Sequence, residues 1–256
     1  MGMNLTTRHL SAGYGNKTVV SDIHIHISTG EVVCLLGANG CGKTTLFKAL
    51  LGLIPMQGEF LLDGRPHHSY TQRDRARLIA YVPQTHTPSF PYTVLDMVLM
   101  GRSPHISLYS VPSGRDHEES RRILSSLGIR YLENRLYDEL SGGERQLVLM
   151  ARSLAQTPRF LLMDEPTSHL DFGNQIRTLQ LIKELAASGI GLLLTTHSPD
   201  HAFICATRVL AMHQGKIISQ GSPEEVINRP LMRTLYGFDI DVVSQPSGRY
   251  LCSPVL

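Results

Sequence analysis

Three nearly apolar runs, Glu31–Leu36, Arg159–Met163 and Ile190–Thr196, stand out from an otherwise mixed chain. Short runs without a polar face predict strands covered on both sides, as in a parallel sheet. Residues 4–27 alternate instead. Asn4–Leu10 and Thr18–Ile27, joined at Gly13-Tyr14-Gly15-Asn16, predict two antiparallel strands, with Ile23, Ile25 and Ile27 on one face and His24 and His26 on the other. Helical periodicity is expected over Leu46–Gly52, Thr71–Leu78 and Asn174–Ala187, with further strands over Gly58–Leu62 and Ile79–Val82. Thr85–Thr93, directly after Pro83-Gln84, holds Pro88 and Pro91 and no Asp, Glu, Lys or Arg, a linker composition. The pattern then turns helical over Val94–Leu127 and again over Gly142–Ala155, so a helical insert of about seventy residues interrupts an α/β core.

The expected division is 1–84 and 158–222 for the core, 85–157 for the helical subdomain, and 223–256 for a C-terminal extension. A hairpin is expected over 207–219 and a short helix capped by Ser222-Pro223-Glu224-Glu225. Weak strand signals follow at Asp239–Val243 and Arg249–Cys252. Val94–Met100 is apolar all round, which suits either a core helix of the insert or a methionine-bearing groove for a partner's helix.

Composition narrows the classes. A chain of 256 residues with 24 basic and 22 acidic side chains has a formal charge of +2, too small a surplus to predict nucleic-acid binding. No apolar run approaches a membrane span and no apolar h-region opens the chain, so neither a span nor a signal peptide is expected. Cys34, Cys41, Cys205 and Cys252 are scattered without a C-x-x-C pair, a usage that fits a reducing compartment.

Chemistry concentrates at the mouths of the apolar runs. After the first comes Gly37-Ala38-Asn39-Gly40-Cys41-Gly42-Lys43-Thr44-Thr45, a G-x-x-x-x-G-K-T loop between strand and helix. In that context its backbone N–H groups cradle phosphates, Lys43 neutralises them and the Thr44 hydroxyl ligates Mg²⁺. The second run ends in Asp164-Glu165, where ligands bind in open α/β sheets, and the third ends at His197. Ser198-Pro199 is expected to cap the helix that follows. Ser141 and Glu144 have capping-box spacing, yet Gly142 and Gly143 between them cost about 1 kcal/mol each in a helix. Glycines there suit an anion approaching the helix start closely. Tyr14 is a turn-flanking tyrosine or, with a phosphate loop downstream, an aromatic placed to stack on a base. His24/His26 and His67-His68 lack an evident third ligand, and a solvated face is expected for both.

Taken together over residues 4–222, these motifs resemble the nucleotide-binding subunit of an ATP-binding cassette (ABC) transporter. Leu140-Ser141-Gly142-Gly143-Glu144-Arg145-Gln146 is the most specific of them. The resemblance implies a P-loop ATPase core with a mainly parallel sheet, an N-terminal antiparallel β subdomain and an inserted helical subdomain. It implies ATP and Mg²⁺ as cofactors, with Tyr14 stacking on adenine and Gly37–Thr45 as the Walker A loop. Gln84 becomes the Q-loop residue touching Mg²⁺ and the attacking water, Asp164 the Walker B aspartate and Glu165 the general base. Asp171 closes the D-loop and His197 is the switch histidine. Glu144 stands where the family usually has glutamine, and His169 where a small residue is common.

The same resemblance implies a head-to-tail homodimer, in which Ser141–Glu144 of one copy covers the ATP held by the other. It implies membrane permease subunits as partners, docked over Pro83–His105, a solute-binding protein acting through them, and a place on the cytoplasmic face of the inner membrane. Thr93–His105 looks most like importers of iron–siderophore, haem, cobalamin and molybdate. The competing expectation is a soluble ABC ATPase of a cluster-assembly complex.

Overall fold

The computed structural model describes residues 2–107, 109–245 and 250–255, so Arg249, at the start of the last expected strand, lies outside the described residues. Strands β1 (Asn4–Tyr14) and β2 (Lys17–Ser28) pair antiparallel. Ile23, Ile25 and Ile27 face the interior while His24 and His26 face solvent, as the alternation predicts. Strand β3 (Val32–Leu36) is buried at every residue and feeds the glycine loop and α1 (Lys43–Leu50). This helix starts three residues before the expected Leu46. Gly42 takes the cap position at φ +115°, a conformation open to glycine, and so lets Lys43, Thr44 and Thr45 form the first turn.

β4 (Met56–Leu62) and β5 (Arg65–Pro66) complete a four-stranded antiparallel sheet in the order β2-β1-β4-β5. Helix α2 (Gln72–Leu78), capped by Thr71, leads into β6 (Ile79–Val82). The insert comprises α3 (Val94–Met100), α4 (Gly114–Ser126) and α5 (Gly142–Leu154), each opened by a reciprocal capping box: Thr93 with Asp96, Ser113 with Asp116, Ser141 with Glu144. The continuous helix pattern expected over Val94–Leu127 is broken after α3. Pro104 and Pro112 withhold the N–H groups a helix needs there, and among the described residues a single 3₁₀ turn, Ser103–His105, intervenes. Val94, Met97, Val98 and Leu99 are core residues, so α3 is in the main a packing helix.

The remaining elements are β7 (Phe160–Met163), α6 (Phe172–Ala187), β8 (Gly191–Thr196), α7 (Pro199–Cys205), β9 (Arg208–His213) and β10 (Lys216–Gly221). After them come α8 (Pro223–Val226), α9 (Arg229–Tyr236), β11 (Ile240–Ser244) and β12 (Tyr250–Pro254). The central sheet runs β10-β9-β3-β8-β7-β6, parallel except at β10. Phe47 and Leu50 of α1 join Ile23, Ile25 and Ile27 of the small sheet and Leu35 and Phe160 of the large one in a single apolar cluster. That packing fixes the start of α1 against the carboxyl ends of the parallel strands.

The C-terminal elements close over α7: the Phe203 and Tyr250 rings stack at 5.3 Å, and the Cys252 N–H donates to Asp200 Oδ1 at 2.9 Å. Ser198 sits at the cap of α7 with Pro199 behind it, but its side chain makes no capping bond. The expected serine cap is therefore positional only; the Ser198 N–H instead donates to Thr196 Oγ1 at 3.0 Å.

Candidate active site

The ends of β3, β6, β7 and β8 bring together residues that lie far apart in sequence. A cleft of about 340 Å³ is lined by Val19, Asn39, Gly40, Gly42–Thr45, Gln84 and Glu165. Gly40 and Gly42 both have positive φ, at +78° and +115°. Gly37 is required for a different reason: a Cβ there would meet the Met212 carbonyl oxygen at 2.5 Å and Cys41 Sγ at 2.8 Å. Ala38 contributes its carbonyl, with that of Gly37, to the Lys43 ammonium, at 3.2 and 2.7 Å. Lys43 is only 6% exposed, and among the described residues it forms no ion pair. A buried cation neutralised by carbonyl dipoles alone marks a place for an anion.

One hydroxyl ties the acid pair to the neighbouring strand. Thr195 Oγ1 donates to Asp164 Oδ1 at 2.7 Å and accepts the Glu165 N–H at 2.8 Å. The other Asp164 oxygen accepts from Thr44 Oγ1 at 3.1 Å and Tyr81 Oη at 3.3 Å. Burial, helped by the adjacent carboxylate, raises the Tyr81 phenol well above its ordinary value, so it acts as a donor. Glu165 sits at φ +46°, a strained setting costing about 1 kcal/mol. Its carbonyl accepts from the Ser168 N–H and hydroxyl at 3.0 and 2.9 Å, which holds that bend. The bend turns the carboxylate toward Gln84, whose Nε2 donates to Oε2 at 3.0 Å, and toward His197 Nδ1 at 3.4 Å.

Lys43, Thr44, Gln84, Asp164, Glu165 and His197 thus form one constellation, and Thr45 and Asn39 flank it. Tyr14 is not among the residues lining this cleft. It is 46% exposed, with the Lys48 ammonium 5.6 Å from its ring centroid. Ser141, Gly142, Gly143 and Glu144 also lie outside the cleft lining, at the start of α5. Asp171 caps α6, accepting the Asn174 N–H at 2.9 Å, and that contact draws its carboxyl below the usual range. The Ser141 hydroxyl does the same to Glu144. Gly143 has a second reason to be bare, since a Cβ there would come within 2.8 Å of the Asn174 amide.

Sequence reasoning did not single out Thr195, Tyr81 or His201. His201 is half-buried against Thr167 and Thr196, and burial lowers its pKa, which favours the neutral ring. The available signal was a hydroxyl-bearing residue inside a strand otherwise covered by apolar neighbours, where an unpaired polar group is costly.

The family profile described as "ABC transporter" matches residues 20–168, more than half of the chain. This protein belongs to the ABC transporter family. An ABC transporter ATP-binding protein of Haemophilus influenzae is 41% identical over 244 residues, covering 95% of this chain and 93% of its own. The ferric enterobactin transport ATP-binding protein FepC of Escherichia coli is 34% identical over 244 residues, covering 94% and 90%. A solved inward-facing transporter of metal-chelate type superposes with a TM-score of 0.86 at 30% identity, covering 99% of this chain and 98% of that one. The chain is an ABC-type ATP hydrolase with the α/β P-loop fold of that family, and the constellation above lies at its phosphate loop.

Proposed function

We propose that the protein is the ATP-hydrolysing subunit of a binding-protein-dependent importer for iron–siderophore or haem. The buried Lys43 ammonium, held by carbonyls beside the Gln84–Glu165 pair, carries the site assignment. The names of the relatives support the cargo class: FepC above, and the hemin import ATP-binding protein HmuV of Thermobifida fusca, 36% identical over 256 residues.

The ATP phosphates lie over Gly37–Thr45 with Lys43 neutralising the β- and γ-groups, and Tyr14 meets the adenine ring. Glu165 takes the proton of the attacking water. Gln84 and His197 both reach the same oxygen of that carboxylate, Oε2, and His197 also faces the γ-phosphate. Thr44, Asp164 and Gln84 offer only oxygen donors once the Gln84 amide nitrogen is spent on Glu165, a set that suits Mg²⁺. Bound there, Mg²⁺ would neutralise charge developing on the phosphate oxygens.

Ser141–Glu144 and Asp171 do not line their own chain's cleft, which favours completion of each site by a second copy in a head-to-tail dimer. Permease subunits would dock over Pro83–His105. A groove that opens there is lined by Asp96, Leu99, Met100 and Ser103 from this stretch and by residues between 106 and 112 beyond it, and Met100 is 37% exposed. No helix among the described residues is long and apolar enough to cross a membrane, so on this reading the chain works from the cytoplasmic face of the inner membrane through that permease.

The test is Glu165→Gln. The variant should bind Mg-ATP, fail to hydrolyse it and elute as a dimer in gel filtration. Elution only as a monomer with Mg-ATP rejects the composite site. Deletion of the gene should abolish growth on haemin or a ferric siderophore as iron source and leave growth on ferrous salts intact; unchanged growth on the chelates rejects the cargo class.

A further inference from the structure

The small antiparallel sheet carries a feature that alternation along β2 does not forecast. Between the pairs Thr7↔Ile25 and Leu10↔Ile23, two residues of β1, Arg8 and His9, face His24 alone. One step on, between Leu10↔Ile23 and Ala12↔Val20, two residues of β2, Ser21 and Asp22, face Ser11 alone. Two opposed bulges therefore follow one another, and each re-aims a side chain. His9 and Asp22 are both in the left-handed region, at φ +49° and +55°. On the far side of β1 a bare Gly58 accommodates the distortion: a Cβ there would lie 2.3 Å from the His9 carbonyl oxygen. The Asp22 N–H is anchored by Ser11 Oγ at 3.1 Å.

The outcome is convergence of three ligand-bearing groups on the solvent face. His9 Nδ1 lies 2.8 Å and His24 Nε2 3.0 Å from the same oxygen, Asp22 Oδ1. All three atoms fall within 4.8 Å of one another, and the imidazole rings meet edge to face at 4.4 Å. The second Asp22 oxygen has no hydrogen-bond partner among the described residues. Bonds of about 2.0–2.2 Å from one ion to imidazole and carboxylate separate neighbouring ligand atoms by roughly 3.0–3.4 Å, so small side-chain adjustments suffice. His26, the residue that simple alternation pairs with His24, is engaged with Thr6 Oγ1 at 3.0 Å and stands apart from the cluster.

We propose that His9, Asp22 and His24 form a binding site for one divalent first-row transition ion, with water filling the remaining positions. Two imidazoles and one carboxylate, without thiolate and without a cage of oxygens, select zinc, cobalt, nickel or copper over magnesium and calcium. The site lies on β1 and β2, outside the cleft of the phosphate loop, and does not depend on the nucleotide assignment.

The experiment uses untagged full-length protein, freed of metal and nucleotide. Cobalt chloride is titrated by visible absorption and zinc chloride by calorimetry, both with excess Mg²⁺ present. One ion per chain is expected. Asn is tolerated in the left-handed region, so His9→Asn and Asp22→Asn preserve the backbone. These variants and His24→Gln should each weaken binding at least tenfold, while His26→Ala and His67→Ala bind as the parent does. Circular dichroism verifies that every variant is folded. The proposal is overturned if the parent binds no ion, if the three variants titrate like the parent, or if cobalt shows a thiolate charge-transfer band that places it on cysteine.

Discussion

The Tyr236 hydroxyl donates to the backbone carbonyl of His197 at 2.9 Å, tying the last helix to the residue that faces Glu165. Tyr236 is half-buried, and that burial lifts its phenol far above the usual value, so it stays a donor at any working pH. Asp200, three residues beyond His197, is held by the Cys252 N–H. The C-terminal elements thus grip both ends of the segment that presents the histidine. Tyr236→Phe removes one hydrogen bond worth about 1 kcal/mol and leaves the ring in place. Turnover should fall about fivefold with KM for ATP held within about twofold, in a steady-state phosphate-release assay. An unchanged kcat would mean that the hydroxyl only packs the tail.

Thr195 is the hinge of the acid pair, since its one hydroxyl serves both Asp164 and the Glu165 N–H. Thr195→Val keeps the shape and orphans both partners, so turnover should drop roughly tenfold to a hundredfold. Stability should fall by about 1–3 kcal/mol. Thr195→Ser restores the hydroxyl and should recover most of both. If the valine and serine variants behave alike in kinetics and in urea unfolding, the bridge is not what matters.

Much of this constellation can be read directly from the residues. β3, β7 and β8 are legible because continuous burial leaves an unbroken apolar run, and the phosphate loop announces itself by fixed glycine spacing. Thr195 and Tyr81 were invisible for the opposite reason. A lone hydroxyl in a buried strand has no periodicity, and its partner lies on a neighbouring strand. Helix α9 was also passed over, although Asn228 caps it, Pro230 sits in its first turn and Gly237 ends it at φ +79°. Proline and glycine there are helix punctuation, easily mistaken for loop. Alternation likewise paired His24 with His26, since nothing in spacing reveals the two bulges that bring His9 and Asp22 to His24 instead.

The thiols offer a check on burial. Cys34, Cys41 and Cys205 are buried, and burial raises all three, Cys205 to about 12; Cys252 is pushed up to about 11. Thiolate is the reactive form, so at neutral pH the folded protein should react slowly with a disulfide reagent at every cysteine. Reaction should accelerate as pH rises toward those values, and all four should react at once in denaturant. Rapid labelling of Cys41 at neutral pH would contradict the burial of its side chain within the phosphate loop.

Asp116 closes the cap of α4 through Ser113 and meets Arg102 at 3.1 Å, with both side chains largely covered. The Ser113 hydroxyl and N–H, and then the guanidinium, bring its carboxyl from 3.8 down to about 2. A lowered folded pKa means that this stabilisation is complete above the ordinary value and disappears as pH falls toward about 2. Asp116→Ala should therefore cost about 2 kcal/mol at pH 7 in urea unfolding, and the gap to the parent should narrow on acidification. A gap that widens in acid would exclude this origin.

The contact between Gly143 and Asn174 reaches further than packing. Asn174 also holds the Asp171 carboxylate, its side-chain amide donating at 2.6 Å, so the turn that starts α5 leans on the same amide that secures the start of α6. In a twinned assembly, a load applied to the glycine pair by one nucleotide would be transmitted to the aspartate facing the other copy. If the proposed head-to-tail dimer forms, a single carboxamide would gear its two halves together, and neither would engage without disturbing its twin.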